Sequence, residues 1–407
     1  MSESIPENLR SKYLGELIPQ EETLEKRKSK SNHSLGIPRE QSPYENRIAL
    51  TPEATGVLVN NGIQVKVEEG AGKTAGFSDQ QYSNYGANII RSNEEVFQSD
   101  IILKIAPPTE EELELIPKGK CLISSLNLPI QKRVYFEKLI KKKITALAFE
   151  YIQENRNAFP LVRTMSEIIG NTTIFIAAEY LAHPEYGKGI LLGGFPGISP
   201  SEIVIIGAGT VGEYAARTAA GLGAMVKVFD KSITHLRRIQ EKLGSHIFTS
   251  VMEKSTLEKA ILQADVVISA KYVAAGTSPC IIHESLIKKM RKKSIIIDVS
   301  IDQGGFFETS KRTNILNPVF VKHGITHYCV PNIASGVPHT ASKAFSNIFG
   351  PILKKIHQNG GVLPSLRHNY WLSKGVYILS GINTNKFIGD HYNLPYQDID
   401  LLMAAYQ

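Results

Sequence analysis

The chain has 407 residues, 42% of them hydrophobic, which is enough for two domains that each bury a core. Its three cysteines have no paired spacing, and no apolar segment approaches a signal peptide or the roughly 20 residues that span a bilayer, so we expect a cytoplasmic protein without membrane insertion. Most of the formal charge of +7 lies in lysine-rich segments without interleaved aromatic residues, which favours solvated helix faces over a nucleic-acid partner.

Residues 1–34 are polar and charged, and we expect them to form a leader arm. From residue 35 onward, short apolar segments that are typical of strands alternate with amphipathic segments that are typical of helices. The strand candidates of this part are QVKVEE, IILKIA, CLISSL and ITALAFE. The alternation predicts crossover units and a mainly parallel sheet, flavodoxin-like or Rossmann-like, over residues 35–160.

A long helix is predicted to begin near Thr164, because Thr164 and Glu167 have the spacing of a capping box. It leads into a second domain, residues 161–339, with the strand candidates IVIIGAG, MVKVFD, DVVISA and SIIIDVSID. A second long helix near residues 340–358 is predicted to cross back, so that residues 340–407 complete the first domain. The predicted fold class is therefore α/β, with two doubly wound domains and a Rossmann domain inserted into a substrate domain.

The segment IVIIGAGTVG predicts a dinucleotide-binding turn in the second domain. Gly207 allows the chain to turn sharply after a buried parallel strand, Gly209 leaves space for a pyrophosphate, and Gly212 permits close packing of helix on strand. The helix that begins with Thr210 and Val211 offers free N–H groups and the positive end of its dipole to the phosphates.

Asp230 ends the next predicted strand. Its carboxylate is placed to accept hydrogen bonds from the ribose hydroxyls, and it would repel a 2′-phosphate. The sequence therefore predicts NAD rather than NADP as the cofactor. A doubly wound domain with an empty glycine turn is the structural alternative.

Several segments resemble, in the same order, the family of alanine dehydrogenases and nicotinamide nucleotide transhydrogenase alpha subunits. They are GIPREQSPYENRIALTPEATGVLVNNGIQVKVEEGAG, MSEIIGN, VIIGAGTVG, IIDVSIDQGGFFETS and YCVPNIASGVPHTAS. The resemblance implies two α/β domains that flank a cleft, one for NAD and one for the substrate, in a homo-oligomer, either a hexamer or a dimer. It also implies interconversion of L-alanine with pyruvate and ammonia, so that the expected partner is a small amino acid or 2-oxo acid.

The same resemblance assigns substrate-handling roles to two residues. Arg47 corresponds to the arginine that holds the substrate carboxylate, and a guanidinium binds a carboxylate in bidentate fashion. The alternative for Arg47 is an ion pair with Glu40 or Glu45. Asp302 corresponds to the aspartate beside the nicotinamide and the amino or imino group, and a turn or helix-cap role is its alternative.

Further cofactor contacts are implied at four positions. Ser166 matches a family cofactor contact, and an N-cap role at a helix start would explain it almost as well. Lys271 and Tyr272 belong to the loop AKYVAAG, which is expected to pass the cofactor. Asn332 follows a predicted strand and is placed to contact nicotinamide or substrate.

Two positions depart from the family pattern. Lys104, in LKIAPP, occupies the first of two family lysine positions, and Ala106 occupies the second, which helps to bind substrate. Asn127 occupies the position of the catalytic histidine, although an asparagine does not titrate near neutrality and cannot replace histidine as a proton donor. Lys104 and Ala106 are expected to share a strand face, about 6–7 Å apart, so Lys104 is a candidate for the same cleft.

The leading hypothesis is an NAD-dependent alanine dehydrogenase with Asp302, Arg47, Asn127 and Lys104 as catalytic candidates. The departures keep two alternatives open: a transhydrogenase-like or opine-type dehydrogenase for another acid, and a catalytically weak NAD(H)-binding subunit. No metal site is expected, since the four-residue spacing of His323 and His327 straddles a glycine and a predicted strand start.

Overall fold

The structure is a computed structural model that describes residues 33–156, 158–244, 247–271 and 282–405. The predicted leader arm up to residue 32, and Tyr272, lie outside these ranges. Within them, no helix is long and apolar enough to cross a membrane.

The strands of the described residues form two sheets. In chain order they are β1 (Ser34–Ile37), β2 (Gln64–Glu68), β3 (Asn88–Ile90), β4 (Ile101–Leu103), β5 (Cys121–Ser124), β6 (Thr145–Ala148), β7 (Glu202–Ile206), β8 (Met225–Asp230), β9 (Phe248–Val251), β10 (Val266–Ser269), β11 (Ile295–Asp298), β12 (Val319–Lys322), β13 (Ile325–Tyr328), β14 (Val376–Leu379) and β15 (Ile382–Asn383). The first sheet has the order β15-β14-β6-β5-β4-β1-β2-β3, and the second has the order β12-β13-β11-β10-β7-β8-β9.

Helices connect most of these strands. They are α1 (Pro52–Asn60), α2 (Asp79–Asn84), α3 (Asn93–Phe97), α4 (Glu110–Leu115), α5 (Arg133–Lys141), α6 (Pro160–Ala182), α7 (Thr210–Gly221), α8 (Ile233–Leu243), α9 (Lys254–Gln263), α10 (Glu284–Ile287), α11 (Pro338–Gln358), α12 (Val362–His368), α13 (Tyr370–Ser373), α14 (Lys386–Tyr392) and α15 (Ile399–Ala405). Short 3₁₀ helices follow several strands, among them Leu128–Ile130 after β5, Phe149–Tyr151 after β6 and Val299–Gln303 after β11.

The parallel part of each sheet has the strand order 3-2-1-4-5-6 of a doubly wound Rossmann fold. Strands β1 to β6 pair in parallel in the first sheet, as do β7 to β11 and β13 in the second. The predicted α/β class with two doubly wound domains is confirmed, and the Rossmann-like alternative describes the first sheet. Its central strands are apolar on both faces because helices cover both faces.

The C-terminal segment belongs to the first sheet, since β14 pairs antiparallel with β6. The side chains of Phe345, Phe349 and Leu353 on α11 are buried in the core of the same sheet. On this basis we propose that residues 35–160 and 340–407 form the substrate domain and that residues 161–339 form the inserted dinucleotide domain.

Helix α6 contributes to the cores of both sheets. Leu161, near its start, packs in the core of the first sheet, whereas Ile174 and Leu181 pack in the core of the second. The helix begins at Pro160, because proline suits the first helical position, so the predicted capping box at Thr164 and Glu167 is wrong. Both residues lie inside the helix.

Gly170 brings α6 close to α7. A Cβ atom at this position would lie 2.5 Å from the carbonyl oxygen of Val211 and 2.8 Å from the Cβ of Tyr214. Because Gly170 has no side chain, α6 can pack closely against α7, the helix that follows the glycine turn.

We expect Gly170→Ala to lower the free energy of unfolding by about 1–3 kcal/mol, the usual cost of overpacking a close contact. Gly221→Ala, at the end of α7, is the matched control, because no atom lies within 4 Å of the added methyl group. Urea denaturation of the two variants measures the difference, and equal midpoints would contradict the close-packing role of Gly170.

Candidate functional site

A cleft of about 1020 Å³ lies at the carboxyl ends of strands from both sheets. Its walls are formed by segments that follow β1, β4, β5 and β6 of the first sheet and β11 and β13 of the second, with parts of α6 and α11. Ligands of open α/β sheets bind at these strand ends. The lining includes the predicted site positions Arg47, Ala106, Asn127, Ser166, Asp302 and Asn332.

Arg47 is held by a bidentate ion pair inside the cleft. Its Nε donates to Oε1 of Glu45 at 2.7 Å, and its Nη2 donates to Oε2 at 2.6 Å. The two side chains are only 8% and 6% exposed. The predicted alternative, a pair with Glu45, is therefore present. The remaining nitrogen, Nη1, lies 3.6 Å from the sulfur of Met165, which is a weak acceptor, so Nη1 can still donate hydrogen bonds to another group.

Glu45 also joins the two walls of the cleft, a role that the sequence analysis missed. Its Oε2 accepts a hydrogen bond from Nδ2 of Asn332 at 2.8 Å. Ser335, in the same segment after β13, accepts the backbone N–H of Asn46 at 2.9 Å. The acidic residue two positions before Arg47 was the available signal, but its partner in the other sheet could not be read from local sequence.

Asp302 lies in the 3₁₀ helix after β11, with half of its side chain open to the cleft. Oδ1 is 3.8 Å from Nη2 of Arg312, and Oδ2 accepts the backbone N–H of Asn332 at 3.4 Å. The surrounding protein desolvates this carboxyl and raises its pKa, while Arg312, the Asn332 N–H and Arg47 act in the opposite direction. The arrangement suits a carboxylate that faces a positively charged nitrogen.

Ala106 and Asn127 present small neutral groups to the cleft. Asn127 has a left-handed backbone with φ of 45°, a conformation that asparagine adopts more readily than most residues. Its backbone N–H donates to Oε1 of Glu150 at 3.3 Å. Neither position carries a titratable side chain, so acid–base chemistry in this part of the cleft needs another group.

Lys104 is not among the residues that line the cleft. Its side chain is 1% exposed, and Nζ lies 2.6 Å from Glu112 and 3.5 Å from Glu40. The expected shared face with Ala106 does not bring Lys104 into the site, because β4 ends at Leu103 and two buried carboxylates bind the ammonium group.

Glu40 connects the segment after β1 to the segment after β4. Its carboxylate accepts the backbone N–H groups of Ile105 at 2.6 Å and Ala106 at 3.2 Å. Burial raises the pKa of Glu40 to about 7, although Lys104 acts in the opposite direction. The Glu40–Lys104–Glu112 cluster therefore supports the wall of the cleft from behind.

Ser166 lines the cleft, whereas Lys271 is not among the residues that line it. Ser166 lines it from inside α6, where its hydroxyl donates to the carbonyl oxygen of Val162 at 2.8 Å, so the N-cap alternative is wrong. Lys271 follows β10, and its carbonyl oxygen accepts a hydrogen bond from the Ser300 hydroxyl at 2.7 Å.

The glycine turn has the geometry that a dinucleotide requires. Gly207 has φ of 110°, and a Cβ there would lie 2.7 Å from the carbonyl oxygen of Ala270. A Cβ on Gly212 would lie 1.9 Å from the carbonyl oxygen of Gly207, whereas one on Gly209 would meet no protein atom within 4 Å. The free space at Gly209, directly before Thr210 and Val211 at the N-terminus of α7, fits an approaching pyrophosphate.

Asp230 closes the turn from the end of β8. Its Oδ2 accepts the backbone N–H of Ala208 at 2.6 Å, and its Oδ1 accepts that of Ser232 at 2.7 Å. Each carboxylate oxygen keeps a second lone pair for a ribose hydroxyl. The turn and Asp230 do not line the cleft. Helix α6 connects the two places, because its Ile169 lines the cleft and its Gly170 packs on α7, the helix that follows the turn.

Glu150 is a second cleft residue that the sequence analysis missed. It follows β6, and its Oε1 accepts the backbone N–H groups of Leu126 at 2.8 Å and Asn127 at 3.3 Å. Its Oε2 is buried without a hydrogen-bond partner, and burial raises the pKa of the carboxyl. An acid directly after the apolar segment ITALAF was the available signal.

The described residues contain no cluster of three or more histidine, cysteine or acidic side chains that could hold a metal ion. His327 is buried, with Nε2 2.8 Å from the hydroxyl of Thr309, and His323 pairs with Glu284. The two histidines therefore have separate partners.

Comparison with known proteins gives matches over both sheets. Residues 36–169 match the model of the alanine dehydrogenase/PNT N-terminal domain, and residues 173–386 match that of the C-terminal domain. An alanine dehydrogenase of Staphylococcus saprophyticus is 35% identical over 90% of this chain and 98% of its own length. The alanine dehydrogenase of Bacillus subtilis is 36% identical over 85% of this chain and 91% of its own length.

Solved structures give the same result for the fold. An L-alanine dehydrogenase aligns with a TM-score of 0.84 at 32% identity and covers 88% of this chain and 99% of its own. A transhydrogenase from Sinorhizobium meliloti aligns with a TM-score of 0.73 at 20% identity, over 87% of this chain and 99% of its own, and this likeness concerns the fold alone.

We expect Lys104→Met to lower the free energy of unfolding by about 3–5 kcal/mol, because it leaves two buried carboxyls without their cation. The loss should shrink as the pH falls toward the ordinary glutamate pKa of 4.5, since the raised folded-state pKa of Glu40 favours the neutral acid there. Urea denaturation at several pH values measures this. Lys66→Met, which breaks a peripheral pair with Glu95, is the matched control and should change stability little. Equal losses in the two variants would contradict the structural role of Lys104.

Proposed function

The chain belongs to the alanine dehydrogenase/PNT family, and we propose that it interconverts L-alanine with pyruvate and ammonia. The observation that carries the proposal is a single cleft in which Arg47, Asp302 and Asn332 are brought together from separate strand ends. A guanidinium, a carboxylate and an amide match the carboxylate, the amino group and the 2-oxo group of this substrate pair.

Arg47 is proposed to bind the substrate carboxylate through the edge that Glu45 leaves free. The bidentate pair with Glu45 fixes the plane of the guanidinium, so that Nη1 presents its N–H groups to the cleft without a search through rotamers. Phe345 lies under the guanidinium, 5.3 Å from ring centroid to Cζ, and limits its movement further.

Asp302 is proposed to face the nitrogen of the substrate from the other wall. A carboxylate stabilises the ammonium of alanine and the positively charged imine through charge-assisted hydrogen bonds. Arg312 and the Asn332 N–H hold Asp302 in place, and Asn332 is itself fixed by Glu45. The two walls therefore position the acid and amino ends of one small molecule.

NAD, which accepts hydride from the substrate carbon, is proposed as the cofactor of the second sheet. The open space at Gly209 and the N-terminus of α7 fit its pyrophosphate. The Asp230 carboxylate supports NAD over NADP, because a 2′-phosphate would bring two negative charges together. Ser166, Lys271 and Asn332 are proposed to contact the cofactor, as is Tyr272 outside the described ranges.

A second candidate substrate is a 2-oxo acid with a longer side chain. Ala106 has a small side chain in the wall of the cleft and leaves space there for a longer substrate chain. A panel of 2-oxo acids with ammonium and NADH distinguishes the two substrates.

We further propose a homo-oligomer in the cytoplasm. Leu191, Phe195 and Ile198, in the segment before β7, are 66%, 55% and 55% exposed. Apolar side chains grouped at the surface favour self-association.

The function is tested with Arg47→Lys, which keeps a positive charge for Glu45 but removes the guanidinium fork. With pyruvate, ammonium and NADH, the unmodified protein should oxidise NADH. The variant should raise the KM for pyruvate roughly 10–100-fold, the scale of a lost charged hydrogen bond. Arg39→Lys is the matched control, since Arg39 pairs with Glu68 away from the cleft lining and should leave the KM unchanged. If none of the 2-oxo acids supports NADH oxidation by the unmodified protein, the proposed function is refuted.

Cofactor choice is tested with Asp230→Asn, which removes the charge and keeps an oxygen for the Ala208 N–H. The unmodified protein should bind NADH more tightly than NADPH. The dissociation constant of NADPH divided by that of NADH, measured by fluorescence titration, should be roughly 10–100-fold smaller in the variant. Equal affinities in the unmodified protein would contradict the assignment.

A further inference from the structure

We propose that the cleft also takes 2-oxo acids that carry a second carboxylate, and that Arg312, which lines the cleft, binds this distal carboxylate. The inference rests on the proposed function, because it keeps Arg47 for the carboxylate beside the reacting carbon and Asp302 for the nitrogen. It adds a chemical class of substrate, the acidic 2-amino and 2-oxo acids. It also gives a binding role to a residue that the sequence analysis did not single out.

Arg312 is a cation of the cleft wall whose donors are not used up inside the protein. Its side chain is 58% exposed, and its ion pair among the described residues is with Asp302, where Nη2 lies 3.8 Å from Oδ1. That separation is longer than a charge-assisted hydrogen bond, which measures about 2.7–2.9 Å. Arg47, by contrast, is 8% exposed and gives two short hydrogen bonds to Glu45. Arg312 therefore keeps its guanidinium fork for a further anion.

The segment that carries Arg312 is anchored beside the end of β13. The backbone N–H of Thr313 donates to the carbonyl oxygen of Cys329 at 3.0 Å, and its hydroxyl donates to the carbonyl oxygen of Pro318 at 3.0 Å. The base of the Arg312 side chain is thus fixed at the cleft, and a side chain with a fixed base loses less freedom when it binds a ligand.

Asn314 supplies a second donor on the same segment, and it also lines the cleft. Its Oδ1 accepts the backbone N–H groups of Leu316 at 3.0 Å and Asn317 at 2.9 Å. The amide oxygen is thereby occupied, and the Nδ2 group provides N–H donors. A guanidinium and an amide on neighbouring lining positions form a site that suits a carboxylate.

The order of the binding groups matches the order of groups in an acidic amino acid. Contacts run from Arg47 to Glu45, from Glu45 to Asn332, from Asn332 to Asp302 and from Asp302 to Arg312. Asp302 therefore lies between the two guanidinium groups along this chain of contacts. In an acidic amino acid, the Cα atom holds the nitrogen between a near carboxylate and a side chain that ends in the second carboxylate.

A distal carboxylate also removes an electrostatic conflict. The substrate nitrogen that Asp302 is proposed to face is positively charged, both as the ammonium and as the imine. Arg312 approaches the same carboxylate to 3.8 Å, so a substrate without a second carboxylate brings two positive groups to one acid. A distal carboxylate gives Arg312 a partner of its own and leaves Asp302 to the nitrogen.

The cofactor does not supply this anion. Its pyrophosphate is proposed to bind at Gly209, and neither Gly209 nor Asp230 lines the cleft, whereas Arg312 does. The carboxylate that meets Arg312 therefore comes from the substrate.

The chemistry is that of pyruvate and balances without another reactant. Ammonium and the 2-oxo diacid lose water, as the C=O bond is replaced by the C=N bond of a positively charged imine. The imine carbon accepts a hydride from NADH, and the resulting amine takes a proton from solvent. The distal carboxylate forms and breaks no bond, so its contribution is to binding and is expected in KM.

The test pairs each diacid with a 2-oxo acid that has the same number of carbons but no distal carboxylate. The pairs are 2-oxoglutarate with 2-oxopentanoate and oxaloacetate with 2-oxobutanoate, each with ammonium and NADH. In the unmodified protein, kcat/KM for at least one diacid should exceed that of its counterpart about ten-fold or more, through a lower KM. In Arg312→Met, this ratio should fall roughly 10–100-fold, the scale of a lost charged hydrogen bond.

The ratio isolates the distal carboxylate. Both acids of a pair share the near carboxylate and the reacting carbonyl, so any effect of the substitution through Asp302 cancels. Arg312→Lys keeps the charge without the fork and should retain part of the preference. Lys132→Met removes another exposed cation of the cleft lining, and this matched control should leave the ratio unchanged. If Arg312→Met does not fold, as judged by thermal unfolding, Arg312→Lys provides the same comparison.

Each outcome has one meaning. If the unmodified protein converts pyruvate but shows no preference for either diacid, the inference is wrong and the proposed function stands. A preference that survives in Arg312→Met means that another residue binds the distal carboxylate, which overturns the role of Arg312. Equal losses for both acids of a pair mean that Arg312 acts only through Asp302, and the inference is again wrong. If no 2-oxo acid is converted, the proposed function fails first and the inference falls with it.

Discussion

The carboxylate of Glu45 determines how the two halves of the site meet. It fixes the guanidinium of Arg47 on one wall and accepts the amide of Asn332 from the other, with both side chains of the ion pair nearly inaccessible to solvent. Because Asn332 also donates its backbone N–H to Asp302, the position of the second acidic group depends on the same carboxylate. The two groups proposed to bind the substrate, Arg47 and Asp302, are thus parts of one hydrogen-bonded chain.

The two sheets have the same strand order but use their switch points differently. In the second sheet, the switch point between β7 and β10 remains open at Gly209. In the first sheet, the equivalent position between β1 and β4 is filled by the protein's own Glu40 and Lys104. The second sheet therefore leaves the usual ligand position of this fold open, whereas buried ion pairs occupy the same position in the first sheet. The cleft lies in front of this cluster and is lined by Arg47 after β1, Ala106 after β4, Asn127 after β5 and Glu150 after β6.

Local sequence was sufficient for features that depend on local geometry. The glycine turn and Asp230 were predictable because a strand, a turn and a helix within one segment define them. Asp302 and Asn332 were placed at strand ends by the alternation of elements, although only the resemblance gave them roles. The errors at Lys104 and Thr164 have local causes as well: β4 ends one residue before Lys104, and Pro160 starts α6 early.

Pairings between distant segments were beyond the sequence. Glu45 and Asn332 are separated by 287 residues, and Glu150 binds the backbone 23 and 24 residues earlier. The alternation of strands and helices fixes neither register nor which strand ends become neighbours. The partner of Glu45 and the unpartnered oxygen of Glu150 depend on both, so they required the assembled cleft.

The shared helix α6 has a mechanical consequence. It carries Leu161 in one core and Ile174 in the other without a break, and it packs against α11, which leads from the second sheet back into the first core. Two adjacent helices form a stiffer connection than two loops, since bending them requires the loss of backbone hydrogen bonds. A change in the width of the cleft would therefore have to bend or rotate these two helices, and Gly170 lies where the first of them, α6, packs closely on α7.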